Sequence, residues 1–247
     1  MPEVCVVVPC FNEEHRLRDA AFLSFLDVRP HAALCLVDDG STDGTLAVLS
    51  KLQGAHPERI IVHRVTPNGG KAEAVRAGVR HVAALGIWPI IGYWDADLST
   101  PLEEVDRLLA VLHEDRGCGL VMGSRVKRLG SRIERRVSRH VLGRVFAVCA
   151  SAILGFPVYD SQCGAKLFRR EWTDVFFRDP FLTRWLFDLE MLARLRNEIG
   201  VAGMEIAREV PLGRWEEVGG SKLRLMDMVH VPLELVKLRS HYNTRLS

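Results

Sequence analysis

Five short apolar runs recur along the first half of the chain, with four segments of helical spacing between them. Residues 4–8, 34–37, 60–65, 90–94 and 120–122 form the runs, rich in β-branched side chains and short enough for strands. Segments 13–26, 42–52, 71–85 and 102–113 lie between them with helical apolar spacing, as at Leu17, Ala21 and Phe25. Continuous apolar strands of this kind bury both faces, which calls for a mostly parallel sheet with helices on each side. The expected fold class is α/β, Rossmann-like, with amphipathic helices toward the C-terminus. In such sheets ligands bind beyond the carboxyl ends of the strands, so the residues after each run are the ones to inspect.

The second half departs from that rhythm. A basic amphipathic segment starts at Lys127, a turn-rich stretch covers 157–164, and helical spacing returns over 182–197. A strand-like run at 205–211 precedes Gly219-Gly220 and an amphipathic tail in which Pro232 would place a kink. No linker, repeat or low-complexity tract divides the chain, and 247 residues suffice for one large core, so a single domain over 1–247 is expected. A net charge of +2 gives no reason to expect a nucleic-acid partner.

Six cysteines without CxxC spacing read as reduced structural thiols of a cytoplasmic protein, and no zinc ligand set is present. Met1-Pro2-Glu3 leads directly into a strand, so no signal peptide is expected. The longest uncharged stretches, 82–94 and 145–159, fall short of the ~20 apolar residues of a spanning helix.

Three polar clusters follow successive strands: Pro9 to Glu14, Asp38 to Gly44, and Asp95-Ala96-Asp97. Each alone could be a turn or a helix cap; their recurrence on one sheet edge points to a ligand. Asp95 and Asp97 are two hard oxygen donors suited to Mg²⁺ or Mn²⁺ beside a diphosphate. Alternate strand residues project to opposite sides, so a bend must bring both carboxylates to one ligand. Lys71 follows Asn68-Gly69-Gly70 and opens a helix, where a cation and free amides suit an anion.

The motifs PCFNEE (9–14), VDDGSTDGT (37–45), NGGKAEAVRAG (68–78) and DADLSTP (95–101) together resemble family 2 glycosyltransferases of the GT-A fold. DSQCGAKLFRRE (160–171), WLFDLEML (185–192) and GGSKL (219–223) resemble the dolichyl-phosphate glucose and mannose synthase branch. The resemblance implies an inverting transfer of a hexose from a nucleotide sugar to a polyprenyl phosphate. It implies a nucleotide-sugar half (1–125) and an acceptor half (126–247).

By resemblance, Pro9, Asn12, Glu13, Asp38, Asp39, Lys71 and the Asp95-Ala96-Asp97 triplet would hold the donor, with Ser99 completing a metal shell. Gln162 and the Asp188/Glu190 pair would lie near the sugar. Arg125, Arg135, Ser138, Arg139 and Lys222 would bind phosphate on the acceptor side, with Gln162 beside them. Asp95, Asp97, Arg125, Asp188 and Glu190 form the expected catalytic set.

Two alternatives stay open on the residues themselves. Gln162-Cys163-Gly164 could be a packed corner. Asp188 and Glu190, two apart on a helix, do not share a face, so at most one would meet substrate; both could instead pair with Arg184 and Arg194.

Between Lys127 and Arg144 seven Lys/Arg stand against one acid, Glu134. Arg132, Arg136, His140 and Arg144 repeat every four residues, beside an apolar stripe of Val137, Val141, Val145, Cys149 and Ile153. Such a helix either packs on the core with a solvated basic face or lies on an anionic membrane surface, giving peripheral attachment. The Arg214–Lys222 stretch looks closer to the glucose-transferring group, favouring UDP-glucose over GDP-mannose. A phosphate acceptor needs no general base, whereas a hydroxyl acceptor, the competing reading, would need one from Asp160, Asp188 or Glu190.

Overall fold

The computed structural model describes residues 2–134, 137–218 and 225–243, with side chains described except at 137–141, 225–230 and 243. Its strands are β1 (Val4–Cys10), β2 (Ala32–Asp38), β3 (Ile60–Arg64), β4 (Ile90–Trp94), β5 (Leu120–Ser124), β6 (Arg132–Glu134), β7 (Ala165–Arg169), β8 (Ala207–Pro211) and β9 (Arg214–Glu216). Its helices are α1 (Asp19–Asp27), α2 (Thr45–Ala55), α3 (Lys71–Leu85), α4 (Glu104–Glu114), α5 (Val137–Leu154), α6 (Thr173–Phe177), α7 (Phe187–Ile199) and α8 (Leu225–Asn243).

Seven strands form one sheet in the order β3-β2-β1-β4-β7-β5-β8, and β6 pairs with β9 beside it. All sheet pairs are parallel except the two made by β7, which runs antiparallel between β4 and β5. The alternation of strand side chains produces two cores. Cys5, Val7, Cys35, Val37, Ile91 and Tyr93 face α3, α6 and α7. Val4, Val6, Val8, Leu34, Leu36 and Trp94 face the side occupied by α1, α2 and α4.

The order reverses direction between β1 and β4, so the crevice lies at the carboxyl ends of those strands. Because β7 is antiparallel, its beginning reaches that edge, with Ala165 opposite Trp94. The 160–164 turn is thereby delivered to the crevice.

Helix α3 and strand β4 have the bounds expected from sequence. The helix expected from 13 starts only at Asp19, because the intervening loop is knitted to the one after β2. There the Glu13 amide donates to Thr45 Oγ1 (2.7 Å), and the Gly44 amide donates to Glu14 Oε2 (2.9 Å).

The basic segment is corrected likewise. Residues 132–134 are a strand, held by Ile133 against Trp215, and the helix begins at Val137. Helix α5 packs through the small or buried Ala147, Ala150, Ile153 and Leu154, while Val145 (59% exposed) and Cys149 of the expected stripe face outward. Alanines allow α7 and α8 to approach closely, so they take the inner face. Arg135, Arg136 and residues 219–224, Lys222 among them, lie outside the described residues, as do the side chains of Ser138 and Arg139.

Helix α3 starts at Gly70 (φ 84°) and ends at the left-handed Gly86, and its inner face meets β1 and β2 through Gly78. A Cβ at Gly78 would fall 2.5 Å from Val37 Cγ2 and 2.6 Å from Val7 Cγ1. Gly78→Ala gains roughly 1 kcal/mol of helix propensity but meets an overpacking cost of about 1–3 kcal/mol against stiff β-branched neighbours. The expected outcome is a lower urea midpoint at unchanged m-value.

Candidate active site

A cavity of about 670 Å³ opens at the carboxyl ends of β1, β2, β4 and β5. Of the residues singled out from sequence, it is lined by Pro9, Glu13, Asp39, Lys71, Asp95, Ala96, Asp97, Ser99 and Arg125. Asn12, Asp38, Gln162, Asp188 and Glu190 do not line it.

At one end the Asp39 carboxylate organises the loop before α3. Its Oδ1 accepts from the Gly69 amide (2.8 Å), and its Oδ2 from the Gly70 amide and Asn68 Nδ2 (2.9 Å each). Burial raises the Asp39 carboxyl above its ordinary range, and the two amides offset this only in part. Asn12 and Asp38 support the same region from behind. Asn12 Oδ1 accepts from the Thr42 amide (2.9 Å), and Asp38 Oδ1 accepts from the Ser41 amide (3.1 Å).

In the centre Lys71 Nζ lies 2.6 Å from Asp95 Oδ1. Burial pushes the Lys71 ammonium down, but the carboxylates of Asp95, Asp188 and Asp97 outweigh it and hold the group above the usual lysine range. The bend required after β4 is present. Leu98 adopts φ 51°, its amide donates to the Asp95 carbonyl (3.1 Å), and the Ser99 amide donates to Asp97 Oδ1 (2.9 Å). Both acids consequently border one cavity.

Gly164 abuts Asp95. Its carbonyl accepts the Asp95 amide (3.0 Å), and a Cβ would fall 2.0 Å from Asp95 Oδ2. Glycine is therefore needed here for space, so the packed-corner reading and the site reading describe the same residue.

On the other side Arg125 is clamped by Asp160. Nε and Nη2 each donate at 2.7 Å, and the Arg125 amide donates to Oδ2 at 3.0 Å. The guanidinium also lies 5.5 Å from the Trp215 ring centre. Burial works against its charge, and Asp160 outweighs burial, raising the group above its ordinary value.

The other acids named from sequence are engaged away from the cavity. Asp188 accepts from Lys166 Nζ and the Tyr93 hydroxyl. Glu190 accepts from the Leu182 amide (2.9 Å), Arg194 Nη2 (2.9 Å) and the Tyr242 hydroxyl (2.9 Å). Its pairing with Arg194 is the i,i+4 alternative, realised.

Arg16, Arg184, Trp185 and Trp215 line the cavity without having been singled out for it. Arg184 reaches it across Gly70, where a Cβ would lie 3.1 Å from Arg184 Nε. Trp185 opens the WLFDLEML motif and Trp215 lies in the Arg214–Lys222 stretch, while Arg16 and Arg184 carry no signal beyond standing beside recognised motifs.

Asp95 and Asp97 fit a hard divalent cation in donor type, two carboxylates at one cavity, while Lys71 Nζ occupies Asp95 Oδ1 and does not itself favour a second cation there. Among the described residues no cluster of three His, Cys, Asp or Glu side chains converges. The remaining ligands would come from diphosphate oxygens and water, as Mg²⁺ commonly accepts.

A family profile described as Glycosyl transferase family 2 matches residues 5–177. The chain belongs to that family. It is 32% identical to a human dolichyl-phosphate beta-glucosyltransferase, over 90% of this chain and 69% of the relative. It is 29% identical to a dolichyl-phosphate beta-glucosyltransferase of Trichomonas vaginalis, over 97% of this chain and 72% of the relative. Among solved structures, glucosyl-3-phosphoglycerate synthase from Mycobacterium tuberculosis, in complex with Mn²⁺, UDP-glucose and phosphoglyceric acid, superposes with a TM-score of 0.69. That match has 19% identity and covers 96% of this chain and 78% of the other, and it identifies the fold as GT-A.

In this glycosyltransferase, Gly164→Ala would drive the Asp95 carboxylate from its place. Misplacement on that scale costs about 10²-fold in rate. Steady-state kinetics should register the loss in kcat/KM, and the thermal midpoint should fall as well, because Asp95 Cγ, 2.2 Å from the new Cβ, must also move.

Proposed function

We propose that the chain transfers glucose from UDP-glucose to the phosphate of a dolichyl or other polyprenyl phosphate, with inversion at the anomeric carbon. The observation that carries this reading is the sharing of one cavity by the Asp95–Lys71 pair and the Asp160-clamped Arg125. The names of the relatives support both the sugar and the acceptor class. The donor half is proposed to be 1–125 and the acceptor half 126–247, although Arg184, Trp185 and Trp215 of the second half also border the shared cavity.

Lys71 supplies a permanent cation beside the departing diphosphate, and Arg125 a fixed cation for the acceptor phosphate. Asp95 and Asp97 would hold a divalent metal, Mg²⁺ or Mn²⁺, which when bound supplies Lewis-acid neutralisation of the leaving group. An acceptor phosphate oxygen is already anionic, so its bond to C1 forms as the C1–oxygen bond to the nucleotide breaks, without a base. The engagement of Asp188 and Glu190 away from the cavity, and the commitment of Asp160 to Arg125, favour this acceptor over a hydroxyl.

Transfer of radiolabel from UDP-glucose, with GDP-mannose in parallel, to a short polyprenyl phosphate tests the reading. Lipid product from UDP-glucose that EDTA abolishes is the expected result. Asp97→Ala should reduce it by at least about 10²-fold, the equivalent of several kcal/mol of leaving-group stabilisation. Donor hydrolysis without lipid product would overturn the acceptor assignment.

Among the described residues no helix is long and apolar enough to cross a membrane. Helices α5 and α8 pack on each other and expose Leu142, Val145 and Val148 on the first, Leu233 and Val236 on the second, all at least half exposed. With the exposed Lys127, Arg128, Arg132 and Arg144 supplying positive charge, this surface is proposed to lie on an anionic leaflet where the lipid acceptor resides, on the cytoplasmic face. Val145→Asp with Val148→Asp should weaken sedimentation with phosphatidylserine vesicles by at least about tenfold, from lost apolar burial. Transfer to a water-soluble short-chain acceptor should persist.

A further inference from the structure

Lys166 is fully buried, and its ammonium is used completely. Nζ donates to the Ser161 carbonyl (2.9 Å), the Cys163 carbonyl (2.7 Å) and Asp188 Oδ1 (2.5 Å). The Tyr93 hydroxyl donates to the same Asp188 oxygen, and Tyr93 faces Lys166 across the β4–β7 ladder. A charge buried at this depth persists only when paired and fully hydrogen-bonded. The three acceptors belong to the 160–164 turn and the first turn of α7, so the ammonium ties both to β7.

That turn carries two contacts at the cavity. Asp160 grips Arg125, and Gly164 accepts the Asp95 amide while leaving room for its carboxylate. Neither Lys166 nor Asp188 lines the cavity.

We propose that Lys166, with Asp188 and Tyr93, is a positioning element that sets the 160–164 turn, and through it the spacing between Asp95 on the donor side and Arg125 on the acceptor side. Asp188 thus acts through Lys166 and not as an acid or base on substrate. The inference rests on the reading of the cavity as a metal-assisted sugar-nucleotide site.

Two full-chain variants test it by calorimetric titration with UDP, with and without Mn²⁺, alongside glucosyl transfer. Lys166→Met combined with Asp188→Asn removes both buried charges together. Tyr93→Phe keeps the ring and removes only the hydroxyl on Asp188, so it reads the same link if the double variant does not fold. The loops around Asp39 and Asn68 are untouched, and neutralising Lys166 and Asp188 together leaves the net charge behind Lys71 unchanged, so metal-free UDP affinity should stay within about twofold of wild type.

The gain in UDP affinity on adding Mn²⁺ should shrink about 10–100-fold in the double variant and severalfold in Tyr93→Phe, as supporting contacts of a metal site do. The transfer kcat should fall in parallel, with little change in the KM for UDP-glucose. Retention of the Mn²⁺ gain and kcat in the folded variants overturns the inference, as does a matching loss of metal-free UDP binding, which marks general structural damage. If wild type shows no Mn²⁺ gain, the metal-assisted reading of the cavity falls first, and the inference with it.

Discussion

The antiparallel entry of β7 between β4 and β5 is the constraint on which the site depends. It presses Gly164 against Asp95 at the carboxyl edge of the sheet, where a side chain larger than hydrogen would occupy the carboxylate's own space. The ladder hydrogen bond from the Asp95 amide to the Gly164 carbonyl continues the β4–β7 pairing one residue into the cavity. The position of the central acid is therefore set by sheet pairing, a stiffer restraint than a loop could offer.

Charge in and around the cavity is arranged in pairs that differ in what they leave available. Lys71 and Asp95 face each other with about a third of each side chain accessible, so both stay open to the cavity. Arg125 and Asp160 are less accessible, and the bidentate clamp fixes the guanidinium plane while Trp215 covers part of it. Lys166 and Asp188 are sealed off entirely, where an ion pair serves geometry at little net gain in stability. Accessibility falls from the pair that lines the cavity to the pair buried behind it.

Glu190 illustrates how sequence proximity misleads. It stands two residues from Asp188 in a motif-bearing segment, yet helical rotation turns it to the Leu182 amide, Arg194 and Tyr242. Its work is to tie the segment before α7, and α8 behind it, to the helix. Arg184, just upstream, has the spacing to pair with Asp188 on a helix surface, yet it reaches over Gly70 into the cavity.

The alternation of apolar strands and amphipathic helices, the acids after β1, β2 and β4, and the boundaries of α3 were legible in the residues because each depends on neighbours a few positions away. Periodicity, turn chemistry and glycine at helix ends are local quantities. The direction of β7, the clamp of Asp160 on Arg125 and the outward turn of Val145 were not, because each joins segments tens of residues apart or depends on which neighbour packs closest. Residues 165–169, with Lys166 and Arg169 among five, lack the apolar run that marks a strand and carry no sign of its direction. Residue pattern alone is enough to specify an α/β sheet with polar clusters at its carboxyl edge. Only tertiary packing decided which of those polar groups meet in one cavity, since a carboxylate's partner is chosen by distance in space and not along the chain.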